Sequence, residues 1–121
     1  MEPQTIARIH ALGRVAVGAA LCFVPARAGA GWIGRDGQRR SVQALTSALG
    51  IRDLAIGAGA ASALFDGGDV HRWIRAGVAS DAVDLVATLR ARDDIPGTAV
   101  LGVAVVATGS AALGAWLHAR L

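Results

Sequence analysis

Four long segments of apolar residues dominate the sequence, and each is close to the length that a helix needs to cross a bilayer. A transmembrane helix needs about 20 consecutive apolar residues. The segments run from about Ile6 to Val24, Val42 to Phe65, Trp73 to Leu89 and Thr98 to Leu117. They predict an all-α fold, in which residues 1–121 form a single domain with four transmembrane helices in an up-down bundle.

The three breaks between these segments contain residues that are typical of turns. The breaks hold Pro25 with Gly29, Gly31, Gly34 and Gly37, then Asp66-Gly67-Gly68-Asp69, and then Asp93-Asp94-Ile95-Pro96-Gly97. We therefore expect short loops at all three positions.

The composition favours a membrane protein and argues against nucleic-acid binding. Charged residues make up 17% of the chain, whereas about 25% of a typical soluble domain is charged. All 12 basic residues are arginine, and they are dispersed along the chain. A nucleic-acid-binding surface needs clustered basic residues, so we expect the partner to be the lipid bilayer and not nucleic acid. The single Cys22 allows no disulfide within the chain.

Two other interpretations of the apolar segments are open. The first segment resembles a signal peptide, because Arg8 and Arg14 precede an apolar run and small residues follow at Ala28-Gly29-Ala30. The whole chain could also be a soluble, alanine-rich bundle. Such bundles carry charges on their outer face at helical spacing, and the segment from Thr98 to Leu117 carries none. We therefore expect a multi-pass protein of the cell membrane.

The distribution of arginine predicts an orientation in the membrane. If the helices alternate in direction, the first and third breaks lie on one side. That side carries Arg27, Arg35, Arg39, Arg40, Arg90 and Arg92, and the other carries Arg8, Arg72, Arg75 and Arg120. By the positive-inside rule, the first and third breaks are cytoplasmic and both termini are outside.

Five charged residues interrupt the apolar segments near their centres. These are Arg14, Arg52, Asp53, Asp81 and Asp84. An ionisable side chain at that depth costs at least about 2.5 kcal/mol on insertion scales, so it is expected to face the bundle interior and to have a partner. Asp81 and Asp84 are three residues apart and project from one helical face.

The two guanidinium groups at this level face three carboxylates. In a bundle of low dielectric constant the unbalanced carboxylate is expected to hold a proton, because like charges close together do not all stay ionised. A protonated carboxyl group beside ionised ones is the arrangement that an acid and base pair requires. The alternative is an inert network of ion pairs, in which Arg14 and Arg52 only fix the packing of the helices.

The three histidines predict no metal site. His10 is expected to begin the first helix, His71 to precede the third and His118 to end the fourth, so that all three lie near the membrane surface on the side of the termini. No pair of histidines has metal-ligand spacing. The sequence also contains no nucleophile elbow, phosphate-binding loop or dinucleotide fingerprint, so we expect no cofactor.

The central charges lie in recognisable motifs. They are the stretch Leu49-Gly50-Ile51-Arg52-Asp53-Leu54-Ala55-Ile56-Gly57 and the stretch Ala79-Ser80-Asp81-Ala82-Val83-Asp84. With Gly13-Arg14 and the Ile95-Pro96 turn, nearly the whole chain resembles a family of small four-helix bacterial membrane proteins classed as a domain of unknown function. The resemblance implies the four-helix architecture and singles out the same five charges. Small multidrug transporters have the same helix number but rely on a carboxylate in the first helix, where this chain has Arg14.

Two functions fit these residues. In the first, Asp53, Asp81 and Asp84 are catalytic and perform acid and base chemistry on a lipophilic substrate, by epoxide opening, isomerisation or cyclisation, while Arg14 and Arg52 pair with the ionised carboxylates or bind substrate. In the second, the protein is a transporter or a structural subunit in which the same residues gate a path or fix helix packing. The uncharged fourth helix is the expected contact face of a homodimer.

Overall fold

The computed structural model describes all residues from 1 to 121 and is entirely helical apart from its short connections. The helices are α1 (Pro3–Phe23), α2 (Pro25–Ile33), α3 (Arg40–Asp66), α4 (His71–Arg90) and α5 (Gly97–His118), and a 3₁₀ turn over Gly34–Gln38 joins α2 to α3. The prediction of an all-α fold is confirmed. The four long helices α1, α3, α4 and α5 match the four apolar segments: α1 begins earlier than expected and ends one residue before Val24, and the other three extend their segments at both ends.

The prediction of a plain loop at the first break is wrong, because α2 lies there. Pro25 occupies its first turn, where the fixed φ of proline suits a helix. Its glycines allow close packing: a Cβ added at Gly29 would lie 3.1 Å from the carbonyl oxygen of Gly37 and 3.2 Å from Oγ1 of Thr46. The helix stops at Gly34, whose φ of 78° favours glycine.

Three of the helices, α1, α3 and α5, are long and apolar enough to cross a membrane. Helix α4 has 20 residues but carries charges along its length, and it does not meet that criterion. Large apolar side chains such as Val17, Ile51 and Leu101 are more than half exposed on the outside of the bundle. The chain therefore has the features of a membrane protein, with three clear candidate spans.

The buried residues of α1 and α3 recur alternately four and three positions apart. On α1 they are Ala7, Ala11, Gly18 and Leu21, and on α3 they are Thr46, Gly50, Asp53, Gly57 and Ala60. This is the spacing of a coiled-coil seam. Arg14 lies between Ala11 and Gly18 in the same series, and only 9% of its side chain is exposed. The central charges therefore occupy positions that would normally hold apolar core residues.

Glycines bring the backbones of α1 and α3 into contact at this seam. A Cβ added at Gly50 would lie 2.7 Å from the carbonyl oxygen of Gly18. One added at Gly57 would lie 2.8 Å from the backbone nitrogen of Val15. Helices that approach this closely pack through van der Waals contact, which is the main source of helix association in lipid.

The second helix pair, α4 with α5, has the same periodicity. The buried positions Ile74, Gly77, Asp81 and Thr88 lie along α4, and Ala107, Gly114 and Leu117 lie along α5. Ser110, which lies between Ala107 and Gly114 in the same series, is partly buried. Because the two pairs run side by side, the charged positions of α1, α3 and α4 lie at the same level of the bundle.

Candidate functional site

Arg14 joins three helices at the centre of the bundle. Its Nη1 donates to Oδ1 of Asp53 on α3 at 3.0 Å, and its Nη2 donates to Oδ2 of Asp81 on α4 at 2.5 Å. Both aspartates are buried. Charge-assisted bonds of this length are the strong class of protein hydrogen bonds, so Arg14 ties the two helix pairs together.

A second ion pair lies beside the first. Arg52 forms a two-bond fork with Asp84, in which Nη1 donates to Oδ1 at 2.9 Å and Nη2 donates to Oδ2 at 2.6 Å. Arg52 also donates to Oδ1 of Asp53 at 3.4 Å, so the two pairs form one network. The Arg52 side chain is 28% exposed, and it is therefore the most accessible member of the network.

The three carboxylates differ in how completely they are bonded. Both oxygens of Asp84 accept hydrogen bonds from Arg52. At Asp53 all the donors within the protein, from Arg14, Arg52 and Ser80, point to Oδ1. At Asp81 the single donor is Arg14, and it points to Oδ2. One oxygen each of Asp53 and Asp81 is therefore free to bind another molecule, whereas Asp84 is fully engaged.

His10 and Ser110 extend the site, although the sequence interpretation did not include them. Nε2 of His10 and Oγ of Ser110 share a hydrogen bond of 2.9 Å, and Nη2 of Arg14 donates to the same Oγ at 3.2 Å. The expectation that His10 begins the first helix is wrong, because α1 begins at Pro3. Residues four apart share a helical face, so the spacing of His10 and Arg14 is the signal that could have found it.

The other two histidines meet at the end of the bundle that holds both termini. Nδ1 of His71 lies 3.1 Å from Nδ1 of His118. No group of three or more metal-binding side chains surrounds them or occurs elsewhere in the structure. These two histidines therefore stay apart from the central network.

A cavity of about 610 Å³ adjoins the central network. This volume lies within the range of about 300–1,000 Å³ that is typical of small-molecule sites. Most of its polar lining lies at one end and is formed by His10, Arg14, Asp53, Asp81, Asp84 and Ser110, and Thr98 lines the other end. Its remaining walls are mainly apolar residues of α1, α2 and α5, such as Leu21 and Val103. Along α1 and α5 these apolar residues lie towards the bundle end opposite the termini, so the cavity has one polar end and one apolar end.

Helix α2 covers the apolar end of the cavity. Ala28, Gly31 and Trp32 of α2 belong to the lining, and Nε1 of Trp32 donates to Oγ1 of Thr88 on α4 at 3.0 Å. The ring of Pro96 packs against Gly34, where an added Cβ would lie 2.7 Å from Cγ. These contacts hold α2 and the 3₁₀ turn that follows it against α4 and the start of α5.

The structure thus brings together all five charges that the sequence singled out, in one network with two guanidinium groups and three carboxylates. It adds His10, Ser110 and an adjoining cavity. Comparison with known proteins adds no further residue or role to this site. The chain matches no protein-family model, and no curated protein and no solved structure matches it.

Proposed function

We propose that the chain is a multi-pass protein of the cell membrane that crosses the bilayer four times, like the small four-helix proteins that it resembles. The exposed face of α4 supports the fourth crossing. Between Arg75 and Arg90 its exposed residues are all alanine, valine or leucine, because Asp81 and Asp84 point inwards. This apolar face is about 22 Å long at 1.5 Å per residue, and the flanking arginines extend to the membrane surface.

The function that we propose is acid and base chemistry on a lipophilic substrate held in the cavity. The observation that supports it best is the pair of free carboxylate oxygens, on Asp53 and Asp81, beside a cavity of about 610 Å³ with apolar walls. An apolar cavity with a few convergent polar groups is the usual form of a ligand site. The apolar walls would take the hydrocarbon part of the substrate, and the carboxyl groups its reacting atom.

In this mechanism Asp53 and Asp81 have complementary roles. One carboxyl group is protonated and donates to the substrate oxygen or alkene, and the other accepts a proton from the substrate carbon or from water. One proton leaves the Asp53 and Asp81 pair and one returns to it. This suits epoxide opening, isomerisation and cyclisation, because none of them takes up or releases a net proton. Arg14 keeps the accepting carboxylate ionised, and Arg52 with Asp84 positions Asp53.

Replacement of Asp81 tests this function. Asp81→Asn keeps a hydrogen-bond acceptor for Arg14 but removes the titrating group. Loss of a general acid or base typically lowers turnover by about 10²- to 10⁴-fold. We expect the turnover of Asp81→Asn to fall by this factor relative to the wild type. Turnover is measured by mass spectrometry of lipid extracts that have been incubated with the protein in nanodiscs. Asp66→Asn, at the exposed end of α3, is the matched control. A folded Asp81→Asn variant with wild-type turnover would contradict the proposal.

A non-enzymatic function is the second candidate. It is favoured by the fact that every carboxylate of the network already has an arginine partner. In this case the network fixes helix packing or gates a path, and no lipid is converted. The same experiment distinguishes the two functions, because a structural network predicts that Asp81→Asn loses helix content or oligomeric state and that no lipid is turned over by the wild type.

A further inference from the structure

The cavity has its mouth on the side of the bundle, between α1 and α5. Val17 and Val106 line it and are more than half exposed. Gly13 and Gly102 also line it, and a Cβ added at either would meet no atom within 4 Å. These residues lie in the middle portions of α1 and α5. In a bilayer this part of the mouth would therefore open into the hydrocarbon layer.

Other parts of the bundle bound the two ends of the cavity. At the polar end the lining stops at His10 and Ser110, which share a hydrogen bond. Helix α2, which Trp32 ties to α4, covers the apolar end and leaves Gly31 and Thr98 exposed at its edge. The exposed part of the lining therefore follows α1 and α5 from the level of the carboxyl groups to the edge of α2, and a molecule in the lipid phase can reach the carboxyl groups through it.

The charges at the polar end discriminate between head groups. Arg14 is the only cationic side chain in the lining, and its two terminal nitrogens already donate to Asp53, Asp81, Gly77 and Ser110. Three carboxylates face the same space. An anion would meet three carboxyl groups and one guanidinium group that is already paired with two of them, and it would be repelled. A hydroxyl group, in contrast, can donate to a free oxygen of Asp53 or Asp81, since an ionised carboxylate accepts several hydrogen bonds.

We infer that the cavity takes an uncharged lipid with a hydroxyl-type head group, which enters from the hydrocarbon layer between α1 and α5. This inference rests on the membrane placement and the ligand site of the proposed function. It adds the substrate class and the entrance. Anionic lipids of equal chain length are excluded at the polar end, although their hydrocarbon part would fit the same walls.

Photoaffinity labelling tests the inference without any need for turnover. The probes are a long-chain alcohol and the alkyl sulfonate of the same length, each with a diazirine in the chain, added to the protein in phosphatidylcholine nanodiscs. We expect the alcohol to label peptides of α1 and α5, at least tenfold more than the sulfonate. That ratio corresponds to about 1.4 kcal/mol of binding free energy. Equal labelling by both probes would overturn the inference.

A matched pair of glycine variants locates the entrance. Gly102→Leu places a side chain in the mouth, whereas Gly109→Leu places the same side chain in open space on the same helix and outside the lining. We expect Gly102→Leu to abolish labelling by the alcohol and Gly109→Leu to leave it unchanged. Wild-type labelling of Gly102→Leu overturns the side entrance.

Turnover is measured on the same samples, so that the two proposals fail separately. Alcohol labelling that obeys the expected pattern, in a protein that converts no lipid, contradicts acid and base chemistry and supports the entrance. Lipid turnover that is insensitive to Gly102→Leu contradicts the entrance and supports the chemistry at the carboxyl groups.

Discussion

Removal of the Arg14 charge should destabilise the protein more than any other single change in the network. Arg14→Met keeps a long apolar side chain in the seam of α1 but leaves Asp81 without its only donor. It also leaves Asp53 with Arg52 at 3.4 Å and Ser80 at 3.5 Å as its remaining partners. The variant therefore has a buried carboxylate with no compensating charge.

The expected cost follows from the burial of both partners. Removing one member of a buried ion pair typically costs about 3–5 kcal/mol, because the other charge stays buried and unpaired. Arg14 and its two carboxylates are all nearly inaccessible, so we expect a loss in this range for Arg14→Met. Arg52→Met is the matched control. Its side chain is 28% exposed, and we expect a loss of only about 2 kcal/mol, as for hydrogen bonds to a charged group.

The free energy of unfolding is measured by sodium dodecyl sulfate titration in mixed micelles, with helix content followed by circular dichroism. The double variant Arg14→Met with Asp81→Asn should regain a large part of the loss, because the unpaired charge is gone. An Arg14→Met protein within about 1 kcal/mol of the wild type would refute the reasoning, since the cost of an unpaired buried charge is several times larger.

The same titration tests the glycine contacts. Gly57→Ala should lower the free energy of unfolding by about 1–3 kcal/mol through overpacking, because the added Cβ lies 2.8 Å from the backbone of Val15. Gly13→Ala should raise it by up to about 1 kcal/mol through better helix propensity, because its added Cβ meets no atom within 4 Å. Gly34→Ala should lower the free energy of unfolding by about 1–3 kcal/mol through backbone strain alone, because φ is 78° and ψ is -151° at this residue, and the clash with Pro96 adds to this. Equal stability of the two variants Gly57→Ala and Gly13→Ala would contradict the close contact of α1 and α3.

Much of the architecture could be predicted because lipid imposes a simple rule on sequence. Long apolar segments predict helices, and charges within them predict partners, so the four long helices and the five central charges were found without a structure. The helix α2 could not be predicted in this way. Glycines such as those of α2 are usual in turns. A helix is favourable there because Gly29, which has no side chain, packs closely against Gly37 and Thr46.

The cavity and its additional polar groups depend on contacts between distant parts of the chain. Ser110 and His10 are 100 residues apart, and neither lies in a sequence motif that predicts a contact between them. The sequence also does not predict which oxygens of Asp53, Asp81 and Asp84 accept hydrogen bonds, because this depends on side-chain geometry. The seam spacing on α1, in contrast, was present in the sequence: the series Ala7, Ala11, Arg14, Gly18 and Leu21 already places Arg14 among core positions.

The division of the network between the two helix pairs has a consequence for biogenesis. The first pair, α1 with α3, contributes two guanidinium groups and one carboxylate, and α4 contributes the two other carboxylates. During synthesis the ribosome releases the positive half before the negative half. On the four-span topology that we propose, Asp53 would compensate Arg14 as soon as α3 inserts, while Arg52 would stay without Asp84. Helix α4, the least apolar of the four long helices, would then enter a membrane that already holds its counter-ions, so chain order would favour its insertion.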